Sequence, residues 1–200
     1  MSCTRMLTTA TLALAVLTGL SSIDARARPA GPRCLASTTA HLHPGDRVHL
    51  QIDNGFSPYE RAKLLQAVNE WNYALAGALR FDIVEAAPAG GAPVWHVLVN
   101  RALSRESAPH GGYKLAITLA NASGGGLMMI NAAEIDGRDI AAVMRHELGH
   151  VLGLCHDPSG GLMTAQYSPH DQGCIDQGTM AALADELAVP ALRLQGCARR

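Results

Sequence analysis

Residues 146–156 read HELGHVLGLCH, which places His146, Glu147, His150, Gly153 and His156 at the spacing H-E-x-x-H-x-x-G-x-x-H. Helix residues four apart project from one face, so His146 and His150 can reach one metal ion from the same side. Glu147 follows the first of them and points slightly around the helix, close to that ion without needing to bind it. Gly153 takes positive φ at little cost, so it can end the helix and turn the chain back. That turn lets His156 supply a third ligand from outside the helix. Three protein ligands leave the fourth tetrahedral position to water, which marks a catalytic rather than a structural zinc site. The spacing therefore predicts one Zn2+ on His146, His150 and His156, with Glu147 as general base of a metal-assisted hydrolysis.

The whole segment resembles the zinc signature of the metzincin clan of metallopeptidases. That resemblance implies a methionine turn beneath the metal, matched by Gly161-Leu162-Met163-Thr164, with Met163 as an apolar floor under the imidazoles. Tyr167 matches the position where matrixin-type members carry a Tyr in the wall of the pocket for the residue after the scissile bond. Ala142, one turn before His146, is the second candidate for that pocket, where a small side chain keeps it deep. Asp157 stands where matrixins usually have Ser, and Ala165 where they usually have Pro, so the chain resembles a compact, divergent matrixin. Matrixins commonly add a structural zinc and calcium through an extended loop with His and Asp ligands. The stretch 104–131 has His110 but no Asp, so one catalytic zinc is expected and calcium is not. The substrate implied is a polypeptide, held as an extended strand along a sheet edge formed by Lys114 to Leu119.

The 200 residues carry a formal charge of −1 with no basic block, which gives no reason to expect nucleic acid or an anionic membrane as partner. Arg5 precedes an apolar run from Leu7 to Leu20 that fits a secretory signal peptide and is too short to span a membrane. Ala25-Arg26-Ala27 has the small-x-small form of a cleavage site. Residues 1–27 are thus expected to be a signal peptide, 28–46 an irregular N-terminal arm, and 47–200 the catalytic domain of a secreted or periplasmic monomer.

Cys3 would leave with the signal peptide, and Cys34, Cys155, Cys174 and Cys197 would remain. An even number in an exported chain points to disulfides, with three possible connectivities. Cys155 and Cys174 bracket the methionine turn, which favours a bridge there, with Cys34 and Cys197 joining the two ends. Pro32-Arg33-Cys34 also resembles the start of the matrixin propeptide switch, in which a thiolate occupies the open zinc position. Leu35 stands where that switch has Gly, and a disulfide is the favoured role of Cys34.

Around the motif, periodicity predicts an α+β fold, a twisted mixed sheet with an N-terminal helix, a zinc-binding helix and a C-terminal helix. Strands are expected over 47–53, 81–85, 94–100, 114–119 and 127–131, and helices from Ser57-Pro58-Tyr59-Glu60 to Gly77, over 139–152 and over 176–188. Asp176 is expected to cap the last of these. His41, His43 and His49 are read as solvated rather than as ligands. Two other functions share the motif: a catalytically silent zinc-binding protein, and a zinc hydrolase of another amide such as a cell-wall crosslink. An intact Glu147 argues against the first, since a silent protein has no use for a base.

Overall fold

Val48, Leu50 and Ile52 alternate with Arg47, His49 and Gln51, which gives the first strand one apolar face. A computed structural model, describing residues 42–101, 114–132, 135, 139–168, 172–191 and 194–197, builds the fold outward from that strand. The elements are β1 (Arg47–Ile52), α1 (Pro58–Leu75), β2 (Arg80–Ile83), β3 (Val94–Asn100), β4 (Ala116–Ala120), β5 (Gly126–Asn131), α2 (Ile140–Val151) and α3 (Gln177–Glu186). The strands form one sheet in the order β2-β1-β3-β5-β4. Neighbours are parallel except β4, which runs antiparallel to β5 at the edge. The expected α+β class and mixed sheet are therefore present. The parallel β1–β2 pair needs a crossover, and α1 supplies it.

Local chemistry sets the helix ends. Ser57 Oγ accepts from Glu60 N and the Glu60 carboxylate accepts from Ser57 N at 2.7 Å, a reciprocal capping box, with Pro58 in the first turn. α1 stops at Ala76, which takes the left-handed conformation (φ 47°), one residue before the glycine expected to stop it. Asn72 clamps β2 to α1: its side chain donates to Phe81 O and accepts from Phe81 N. Asp139 and Asp176 cap α2 and α3 by accepting from Ala141 N and Thr179 N.

The apolar sheet face of Val48, Leu50, Ile52, Phe81, Trp95, Val97, Met128 and Ile130 packs into one core with Leu64, Val68, Trp71 and Leu75 of α1 and Met144 and Leu148 of α2. Each such side chain contributes on the order of 1.5–3 kcal/mol when fully buried. Trp71 also spends its indole N–H on Arg145 O at 2.9 Å, which locks α1 against the helix carrying the histidines. Cys34, His41, His110 and the expected signal peptide lie outside the described residues.

Candidate metal centre

α2 is buried along nearly its whole length, so its two histidines and Glu147 are desolvated by the core beside them. His146 sits mid-helix and His150 in the last turn. Gly153 then takes φ 92°, with its N–H on His150 O at 3.0 Å, and Leu154 N returns to Gly149 O at 3.0 Å. That reversal carries His156 back to the other two. One ring nitrogen from each of His146, His150 and His156 lies within 4.8 Å of the others, so the three can hold a metal ion.

The rings are aimed by their far nitrogens. His146 Nδ1 lies 2.8 Å from Leu162 O, and His150 Nδ1 lies 2.8 Å from Leu154 O. A carbonyl only accepts, so each Nδ1 carries the hydrogen and each neutral ring has its lone pair on Nε2. For His150 that lone pair faces His156 Nε2 at 3.2 Å. Two nitrogens on one tetrahedral zinc, each about 2.0–2.1 Å from it, would lie about 3.3 Å apart. The donor set fits zinc in both chemistry and spacing. Burial lowers the pKa of all three imidazoles, His146 to about 4 with added repulsion from His150, so they are neutral and ready to ligate at neutral pH.

Glu147 is 6% exposed, and its Oε2 accepts from Thr118 Oγ1 of β4 at 2.5 Å. Burial raises its pKa to about 7, against the lowering effect of that hydrogen bond. A cation held by the neighbouring histidines favours the ionised form.

Met163 is buried beneath the helix, and the contact depends on a glycine that the motif leaves unspecified. A Cβ on Gly149 would come within 2.4 Å of Met163 Sδ. The turn is fixed from several sides: Leu162 O by the His146 ring, Leu162 N by Asp176 Oδ2 at 2.8 Å, and Met163 O by Asp157 N at 2.8 Å. Asp157, a departure from the matrixin pattern, is therefore built into the turn through its backbone.

Tyr167 and Ala142 come to the same end of α2. The Tyr167 hydroxyl accepts from Asp139 N at 3.0 Å, and Ala142 N donates to Asp139 O at 2.9 Å. The cysteine pairing differs from expectation. Cys174 bonds to Cys197, not Cys155, while Cys155 is disulfide-bonded as well. The cause is the return of the C-terminal segment, where Cys197 N donates to Ile175 O at 2.8 Å beside Cys174. His43 is exposed in its turn as expected, whereas His49 is half-buried. A separate concavity of about 980 Å3 between α1 and the Cys174–Cys197 bridge contains none of the histidine cluster.

Three participants were not singled out from the sequence. Thr118 gave no signal beyond suitability for a strand. Gly149 did carry one: a glycine inside a helix costs about 1 kcal/mol relative to alanine, so a reason for it is expected. Arg145, beside the first histidine, is a cation on a helix whose other side chains are apolar apart from the histidines and Glu147, and it is buried against Glu70, Asp139 and Gln172 O.

No protein-family model and no curated protein matches the chain. Among solved structures it is similar to high choriolytic enzyme 1, a hatching-enzyme zinc protease of the medaka fish Oryzias latipes, at a TM-score of 0.35 and 20% identity over 55% of this chain and 44% of that one. It is also similar to myroilysin, at a TM-score of 0.38 and 20% identity over 57% of this chain and 51% of that one. The chain spans about half the length of these proteins.

Proposed function

We propose that this chain is an exported zinc endopeptidase. The observation that carries the reading is the convergence of three neutral imidazoles, two of them anchored on backbone carbonyls, beside one buried carboxylate. His146, His150 and His156 would hold the ion. When bound, zinc would lower the pKa of its water to about 7 and polarise a substrate carbonyl. Glu147 takes the proton from the attacking water on its carboxylate and delivers it to the departing amine. Met163 closes the space below the imidazoles, and Tyr167 and Ala142 form the wall and floor of the pocket for the residue after the scissile bond. β4, at the sheet edge, receives the substrate as an added strand.

Peptide as the substrate class rests on the resemblance of the motif and methionine turn to metzincins, with matrixins as the nearest pattern. Export rests on the signal-like residues 1–27, and disulfides suit an oxidising compartment. Among the described residues no helix is long and apolar enough to cross a membrane. In this reading 47–200 is a single catalytic domain that works as a monomer with one zinc and no calcium.

The test is a library of unstructured peptides presented to the exported protein, to the same protein after chelation and zinc return, and to Glu147→Ala. Cleavage should vanish on chelation, return with zinc, and fall about 10²–10⁴-fold in the variant while its zinc content holds. A wild type that holds zinc and cleaves no peptide would defeat the proposal and turn attention to non-protein amides or to a silent metal protein.

A further inference from the structure

We infer that Thr118 is a positioning residue for Glu147, so that the strand offered to substrate also aims the base; this deepens the peptidase reading and rests on it. β4 turns Ala116, Thr118 and Ala120 toward the helical layer, and Ala116 and Ala120 pack on the core. The alternate residue Leu119 lies on the outer face at 50% exposure. Of the three inward side chains only that of Thr118 has a polar atom, and it meets Glu147 Oε2 at 2.5 Å.

The consequence follows from the freedom of a carboxylate. The terminal torsion of a glutamate is broad and roughly twofold, so packing alone leaves its plane loosely set and its two oxygens interchangeable. A hydroxyl donating to Oε2 sets the plane and leaves Oε1 to face the metal side. The donor stands on a strand pinned to β5 along its whole length, from Ala116–Ile130 to Ala120–Gly126, so its position is set by the sheet rather than by a loop. A peptide pairing with the other edge of β4 would then be registered on the element that orients the base. A 1 Å error in such an alignment can cost about a hundredfold in rate.

Threonine is also simply a good strand residue, and valine separates the two roles because it keeps the shape and strand preference without the hydroxyl. In the exported, zinc-loaded protein, Thr118→Val should keep wild-type zinc content and melting temperature. Its kcat on a cleaved peptide should fall about ten- to a hundredfold with KM unchanged, and Thr118→Ser should recover most of the loss. An unchanged kcat in Thr118→Val, or a loss that Thr118→Ser does not repair, overturns the inference. Proton NMR gives an answer independent of turnover. The Thr118 hydroxyl proton should be protected from exchange in the wild type and unprotected in Glu147→Ala, and an unprotected wild-type hydroxyl overturns the inference even if no peptide is ever cleaved. A wild type that is inactive yet shows the protected hydroxyl sinks the peptidase reading instead.

Discussion

His146, His150 and His156 show how burial prepares a metal site before any metal arrives. An imidazole in water takes up its second ring proton near pH 6.5, whereas the buried His146 takes it up only near pH 4. The sign for stability follows. Between these values the unfolded chain binds protons that the folded chain refuses, so acid favours unfolding. In the wild type Glu147, whose pKa burial raises from 4.5 to about 7, works in the opposite direction over this window, so the metal-free Glu147→Gln variant is the one that should lose stability as pH falls from 6.5 toward about 4, with His150 and His156 adding to the loss. Denaturant titrations at several pH values check this, and a metal-free midpoint that stays flat over that interval would count against the buried, neutral cluster. Zinc should leave the folded, loaded protein only as pH falls to these lowered values, about 4 for His146, because a proton and the metal compete for the same ring lone pairs.

At the scale of elements, α2 matters less as a helix than as a part held in place from three sides. Arg145 is 2% exposed at the side chain, and its guanidinium reaches Glu70 at 2.5 Å, Asp139 at 3.3 Å and Gln172 O at 3.0 Å. One side chain thus joins α1, the N-terminus of α2 and the loop after the methionine turn. Arg145→Ala should cost about 3 kcal/mol, since it opens a cavity and strands the buried Gln172 carbonyl, and Arg145→Lys should recover only part of it because lysine lacks the planar fork. Chemical denaturation measures both. Asp82 of β2 offers a smaller case. Its burial raises the pKa, but the Arg47 and Arg80 hydrogen bonds and charges outweigh this and hold it below the usual 3.8. Its contribution is therefore complete above that value and is lost as pH falls through the lowered one. Most of these elements were legible because their signals are local. The capping box of Ser57 and Glu60, the Asp176 cap, and the glycine turn at Gly153 each depend on residues within a turn or so. Arg145 and Thr118 were not legible, because their partners Glu70 and Glu147 lie 75 and 29 residues away, and only the fold decides that they meet.

For the whole molecule, the sheet order and the course of the C-terminal segment complete the site, and neither is written in any short stretch. Alternation identifies β3 as a strand, but its place between β1 and β5 depends on pairings with segments far away in the chain. The expected Cys155–Cys174 bridge failed for the same reason: nearness in sequence favoured it, while Gln195 N on Ala74 O and Cys197 N on Ile175 O bring Cys197 to Cys174 instead. The bridge closes a segment of 23 residues, so replacing both cysteines by serine should cost about 3 kcal/mol in denaturant unfolding. Nearly unchanged stability would mean that the C-terminal segment holds without it. The central claim is that His146, His150 and His156 together form a catalytic zinc centre, and X-ray absorption on the purified, zinc-loaded protein tests it most directly. The account predicts one zinc per chain with three nitrogen neighbours at about 2.0–2.1 Å and one oxygen, and loss of a nitrogen and of tight binding in His150→Ala. A sulfur neighbour, or a zinc site indifferent to that substitution, would contradict it.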